Sequence, residues 1–283
     1  MKDSNQNLNW FPGHMAKTRR QITEQLKLCD AVVEIVDARI PLSSRNPEIT
    51  QITSAKPRIV LLNKCDYADA TQTNKWTKFF ESKGMVALPV DCKTGKGIKA
   101  FKPAVYKLLK AKLDADKAKG YNRPLRLMII GIPNVGKSSF INRVAGGAKA
   151  KVEDRPGVTR SNGWYKIDSR IDLLDTPGVL WPKFDDEQVA LKLAFTGAIK
   201  DQVTDVEDLA ARLLALLGNN YPQMLLDRYG IENDESYEML CALAEKRGLK
   251  AKGNRPDTMR ASVMLLDEFR GGKIGKITLD ECR

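Results

Sequence analysis

The chain has 283 residues, 42% of them apolar and 29% charged, with 47 Lys+Arg against 35 Asp+Glu for a net charge of +12. The polar N-terminus, the lack of any apolar run long enough to span a bilayer, and five scattered cysteines without Cys-x-x-Cys spacing argue against a secreted, membrane-embedded or zinc-stapled protein. A cytoplasmic protein of two domains with reduced thiols is expected, and the basic surplus favours a polyanionic partner, nucleic acid before membrane. A merely basic, soluble surface would carry the same charge.

In chain order, Phe11-Pro12-Gly13 is a turn signal, and Trp10 and Phe11 so near a terminus predict that residues 1–14 dock onto the body. His14, the only histidine, follows them. A helix over 15–28 comes next, with Ile22, Leu26 and Cys29 on its apolar side. The β-branched run 30–37 reads as a buried strand ending in Asp37-Ala38-Arg39, and a helix over 47–54 separates it from a second buried strand, 58–62.

That second strand delivers Asn63-Lys64-Cys65-Asp66. In Asn-Lys-x-Asp the carboxylate of Asp66 can accept hydrogen bonds from N1–H and the exocyclic amine of guanine, which adenine does not offer in that geometry. The wrong base would leave a buried acceptor unpaired, so such a site discriminates strongly. Asn63 would brace the loop and Lys64 cover the base plane. After a helix over 71–83 and a strand over 86–90, Asp91-Cys92-Lys93-Thr94-Gly95 fits a loop that offers a backbone N–H to the guanine O6. It also fits a plain strand-to-helix turn. A lysine-rich amphipathic helix is expected over 98–119, with Phe101, Val105, Leu108, Leu109 and Leu113 on one side.

Residues 125–130 form an apolar strand that enters Gly131-Ile132-Pro133-Asn134-Val135-Gly136-Lys137-Ser138, and a helix beginning near Ser139 leaves it. Gly-x-x-x-x-Gly-Lys-Ser between strand and helix is the phosphate-binding loop in the context the motif requires. The N–H groups of Asn134 to Ser139 would cradle phosphates at the positive end of the helix, Lys137 would reach the β- and γ-phosphates, and Ser138 would ligate Mg²⁺. Thr159 is the candidate switch threonine, a Mg²⁺ ligand only when a γ-phosphate is present. Strands over 163–167 and 171–174 lead to Asp175-Thr176-Pro177-Gly178, which places a carboxylate near Mg²⁺ and the Gly178 N–H on the γ-phosphate.

Beyond Lys183 the pattern is helical only, over 187–196, 206–218, 221–228, 235–247 and 256–270. Between Lys246 and Lys276 lie nine Lys/Arg and three Asp/Glu, as a solvated face or a nucleic-acid surface would have.

The base-reading motifs at 63–66 and 91–93 precede the phosphate loop, the switch threonine and Asp-x-x-Gly, the reverse of the usual order. The chain therefore resembles the circularly permuted GTPases. The block Trp10-Phe11-Pro12-Gly13-His14-Met15-Ala16-Lys17, the Asp37-Ala38-Arg39 turn and the run Leu174–Lys183 narrow the resemblance to the ribosome-assembly branch of that family. The resemblance implies an α/β P-loop NTPase domain over 15–183 followed by an all-helical, RNA-contacting domain over 184–283. It implies GTP/GDP and Mg²⁺, K⁺ held at Asn134, and a factor acting in late assembly of the large ribosomal subunit on its ribosomal RNA; a monomer is expected. The residue after Asp-x-x-Gly is Val179, which cannot orient an attacking water. K⁺ at Asn134 or His14 swinging in from the N-terminal segment would supply what a glutamine supplies elsewhere, although His14 also fits a packing role. A nucleotide-gated RNA scaffold and a GTPase with a non-ribosomal client remain the alternatives.

Overall fold

The structure is a computed structural model that describes residues 12–146, 163–181, 184, 186–199, 201, 205–232 and 235–282, with side chains from Ala16 onward. The chain divides into two compact units, Met1–Asp185 with Asp280–Arg283, and Asp186–Leu279. Domain 184–283 was expected to run to the C-terminus; the last four residues belong instead with the first unit.

The first unit holds one six-stranded sheet. Its strands are β1 (Ala31–Asp37), β2 (Arg58–Asn63), β3 (Val86–Pro89), β4 (Leu125–Ile130), β5 (Trp164–Asp168) and β6 (Ile171–Asp175), in the order β3-β2-β1-β4-β6-β5. All neighbours are parallel except β5 and β6. Every residue of β1 and β2 is buried, as expected of unbroken apolar runs in a parallel sheet covered by helices. The covering helices include α1 (Pro12–Leu26), α2 (Pro47–Ile52), α3 (Ala70–Ser82), α4 (Phe101–Leu108), α5 (Lys110–Ala118) and α6 (Lys137–Val144).

Ile22 and Leu26 of α1 and Ile49 of α2 pack with Val32, Met128, Ile130 and Leu174. Trp76 and Phe80 of α3 pack with Val36, Val60 and Leu62. Val32 and Val36 are an even number of residues apart, so α1 and α3 cover the same face. Phe101 and Phe140 meet edge to face with centroids 4.9 Å apart and tie α4 to α6. The helix expected over 98–119 is broken at Leu109, the residue that separates α4 from α5. Phe101, Val105 and Leu109 are buried and Leu113 only half so, and α5 buries no residue.

The C-terminus completes this unit. The Asp280 carboxylate accepts from the Leu42 and Ser43 N–H groups at 2.8 Å each and from the Ser43 hydroxyl at 2.7 Å, and its carbonyl accepts from Trp76 Nε1 at 3.3 Å. The helical unit is thus a segment whose flanking residues on both sides belong to the sheet unit.

That second unit contains α7 (Glu187–Phe195), α8 (Val206–Asn220), α9 (Pro222–Tyr229), α10 (Ser236–Lys246) and α11 (Thr258–Arg270). The others pack around α8, whose Leu209, Leu213, Leu214 and Leu217 are buried at helical spacing. Asp186, Asp205 and Asp257 cap α7, α8 and α11 by accepting from first-turn N–H groups, each cap contributing on the order of 1 kcal/mol. No described helix is long and apolar enough to cross a membrane.

Candidate nucleotide-binding site

Strand order fixes where a ligand can sit. The chain lays β1, β2 and β3 outward in one direction, then returns to place β4 on the other side of β1. At such a reversal the connections leave the sheet on opposite sides and open a crevice at the carboxyl ends of the strands. Those ends carry Asp37, Asn63, Gly131 and Asp175, so strand pairing alone gathers motifs separated by more than a hundred residues.

At the phosphate end, β4 runs into the glycine loop and α6 starts at Lys137. Gly136, the residue before it, has φ 108°, and a side chain there would fall on Asn63 Nδ2. A side chain at Gly131 would lie 2.7 Å from the Ile35 carbonyl. Both positions therefore need glycine for close approach as well as for dihedral freedom. Asn134 at the loop tip is itself left-handed, with φ 59°. Lys137 Nζ donates to the carbonyls of Gly131 at 2.8 Å and Ile132 at 3.0 Å. Ser138 and Ser139 are exposed at the start of α6, open to a ligand.

Burial pushes the Lys137 ammonium down to about 8, partly offset by Asp175, and burial raises Asp175. Asp175 Oδ1 is buried without a partner among the described residues. An unpaired buried carboxylate oxygen is costly unless something occupies it. With the exposed Ser138 hydroxyl it forms the hard oxygen set that Mg²⁺ takes when phosphates and waters supply the remainder. The described residues include no cluster of three or more His, Cys, Asp or Glu that would hold a metal without them. Gly178 presses on the loop: a Cβ there would lie 3.0 Å from the Pro133 nitrogen and against Lys137 Nζ. Glycine is the residue that lets this backbone lie so close to the glycine loop.

The base-reading end is built around Asn63. Its Nδ2 donates to the Val135 carbonyl at 2.7 Å and its Oδ1 accepts from the Cys92 N–H at 2.9 Å, so one buried amide joins three loops. The Asp91 carboxylate accepts from the N–H groups of Lys93 (2.8 Å) and Thr94 (3.2 Å) and from the Thr94 hydroxyl, which holds it below the usual carboxylate range despite burial. Asp91 thus closes its own loop. The Cys92 N–H is engaged by Asn63 and the Lys93 N–H by Asp91, whereas the sequence led us to expect a loop N–H directed at a guanine O6. Asp66 Oδ1, like Asp175 Oδ1, is buried with no partner among the described residues, and burial raises its carboxyl. Lys64 does not stand free: it has φ 60° and its Nζ lies 2.9 Å from Asp37 Oδ2.

Two neighbours of the site had no signal in sequence. Thr176 donates its hydroxyl to the Ile129 carbonyl at 2.6 Å, locking Asp-x-x-Gly to β4. Asn46 donates to the Val179 carbonyl at 3.0 Å and caps α2 by accepting from Ile49 N at 3.2 Å. Both bonds join elements far apart in the chain, and no local pattern announces them. Thr159, Trp10 and Phe11, and the His14 side chain, lie outside the described residues.

A glycine loop at the winding reversal of a parallel sheet, a guanine-reading Asn-Lys-x-Asp and an Asp-x-x-Gly switch, in permuted order, define a circularly permuted P-loop GTPase: an enzyme that binds GTP and hydrolyses it. The family model described as "50S ribosome-binding GTPase" matches residues 126–240. Ribosome biogenesis GTPase A of Priestia megaterium is 48% identical over 97% of this chain and 96% of its own length. The protein of that name from Thermotoga maritima is 33% identical over 96% of this chain and 94% of its own, and mouse mitochondrial ribosome-associated GTPase 1 is 34% identical over 96% and 89%. The GNP-bound crystal structure of YlqF from T. maritima superposes with a TM-score of 0.67 at 29% identity, covering 94% of this chain and 99% of that one. The chain belongs to the ribosome biogenesis GTPase A family.

Proposed function

We propose that this GTPase binds the large ribosomal subunit through its ribosomal RNA in a late assembly step, remains while GTP is present, and leaves on hydrolysis. The observation that carries the nucleotide part is the pair of buried oxygens without a partner among the described residues, Asp66 Oδ1 and Asp175 Oδ1, at the two ends of one crevice. Asp66 reads guanine, Lys137 holds the β- and γ-phosphates, and Gly178 offers its N–H to the γ-phosphate. Ser138, Asp175 and Thr159 would hold Mg²⁺ and Asn134 K⁺, cations that neutralise charge developing on the phosphates. Val179 is apolar and 9% exposed, so His14 is the side chain we assign to orienting the attacking water.

The client assignment draws on the relatives' names and on the helical unit's chemistry. Lys250, Lys252, Arg255 and Arg260 are exposed beside the exposed apolar residues Met259 and Val263, a mixture suited to phosphates and sugar or base faces. A cytoplasmic monomer fits this role. Co-sedimentation with purified large subunits tests it, at moderate and high salt, with GDP or a non-hydrolysable GTP analogue. Analogue-dependent binding that weakens with salt is expected. Equal binding with both nucleotides would favour a scaffold, and no binding would point to another client.

A further inference from the structure

The Asp37-Ala38-Arg39 turn belongs to none of the phosphate or base motifs, yet the structure puts it against one of them. Asp37 ends β1 directly opposite Asn63 at the end of β2, and the Ala38 N–H donates to the Asn63 carbonyl at 2.8 Å. The Asp37 N–H donates to Ser44 Oγ at 3.0 Å, which fixes the turn from its far side. The Asp37 carboxylate is saturated. Oδ1 accepts from Arg39 N and Nε at 3.0 Å each, and Oδ2 accepts from Arg39 Nη2 at 2.8 Å and from Lys64 Nζ at 2.9 Å.

Arg39 is 1% exposed, and its guanidinium lies 5.9 Å from the centroid of the Tyr67 ring, just past Asp66. Two cations thus share one buried anion: Lys64 lies within the base-reading loop, and Arg39 rests against Tyr67, the residue that follows it. As a means of stability a buried ionic triad is a poor one, because desolvation cancels most of its attraction. What it provides is position. Lys64 has a long flexible stem, and its left-handed backbone is of a kind that costs on the order of 1 kcal/mol and persists only where its surroundings hold it.

We propose that Asp37 and Arg39 are positioning residues for guanine recognition: they anchor the Lys64 ammonium so that its stem is already laid out for the purine, and they set affinity for the base without setting affinity for the phosphates. Substituting Asp37 by Asn would leave Arg39 and Lys64 as neighbouring positive charges in a dry site, and Lys64 would be driven out.

The inference rests on the guanine-site reading above, and the two fail separately. If the unaltered protein prefers GTP no more than ATP, the guanine reading fails. If it prefers GTP and Asp37→Asn leaves GDP binding unchanged, only this inference fails. The experiment measures Kd for a fluorescent GDP and, by competition, for pyrophosphate with Mg²⁺, in Asp37→Asn, Lys64→Met and the double variant. Asp37→Asn is expected to weaken GDP about tenfold, the size of one lost charge-assisted bond, with pyrophosphate unchanged. Lys64→Met, at a partly exposed position that threatens the fold least, should show the same split. In the Lys64→Met background, Asp37→Asn should add less than about twofold, because its route to the base is already gone. Equal weakening of GDP and pyrophosphate would identify general loosening and overturn the proposal. So would a full tenfold loss on top of Lys64→Met.

Discussion

At the base-reading end of the crevice, Asn63, Asp91 and Asp37 each use their side-chain oxygens on the loops around them, whereas Asp66 Oδ1 has no partner among the described residues. At the phosphate end the described side chains are less engaged: Asp175 Oδ1 has no partner among the described residues, Ser138 is exposed, and Lys137 rests on its own loop's carbonyls. One half is preorganised, with its ordering cost already met by folding. The other is completed by its ligand. The difference suits a switch, since the base identifies the nucleotide while the presence or absence of a γ-phosphate decides the state.

Three measurements sharpen or break that contrast. The largest effect should come from Asp66→Ala, which removes the base-end acceptor that has no partner among the described residues. The preference for GTP over ATP, read from competition binding, should fall at least about a hundredfold with little loss of stability. A preference that survives would mean the base is read elsewhere. Next is Asn63→Ala, which removes two bonds between loops. Thermal or denaturant unfolding should show a loss of about 2–3 kcal/mol and GDP binding should weaken alongside it, because structure and site share the residue. A loss of binding without a loss of stability would show that the base end is not preformed.

The smallest effect belongs to the phosphate end. In the ligand-free site Lys137 is lowered to about 8 by burial, whereas bound phosphates hold it charged. Above pH 8 binding must therefore take up a proton, so affinity falls as pH rises, by about tenfold between pH 7 and pH 9. A flat profile in calorimetry would show that Lys137 stays charged in the free protein and that this end too is prepaid.

The rigid side of this comparison was the less legible in sequence. Glycines, a lysine and a carboxylate at fixed spacing give away a phosphate loop and its switch, because their chemistry acts through local backbone. The bonds that preorganise the base end join residues with no local relation: Asn63 with Val135, Asn63 with Cys92, Lys64 with Asp37. The break of the lysine-rich helix at Leu109 was hidden for a related reason, since apolar spacing continues past it while buried contact does not.

The sequence by itself determined the element types and their approximate limits, the permuted order of motifs and the preference for guanine, all of which follow from periodicity and short-range chemistry. The tertiary structure alone decided the strand order that brings those motifs to one crevice. It decided that Asp280 returns to the loop after β1 and that a turn outside every nucleotide motif holds the base-reading lysine. These are long-range pairings, set by which strands lie side by side, and nothing in the chain near either partner announces the other.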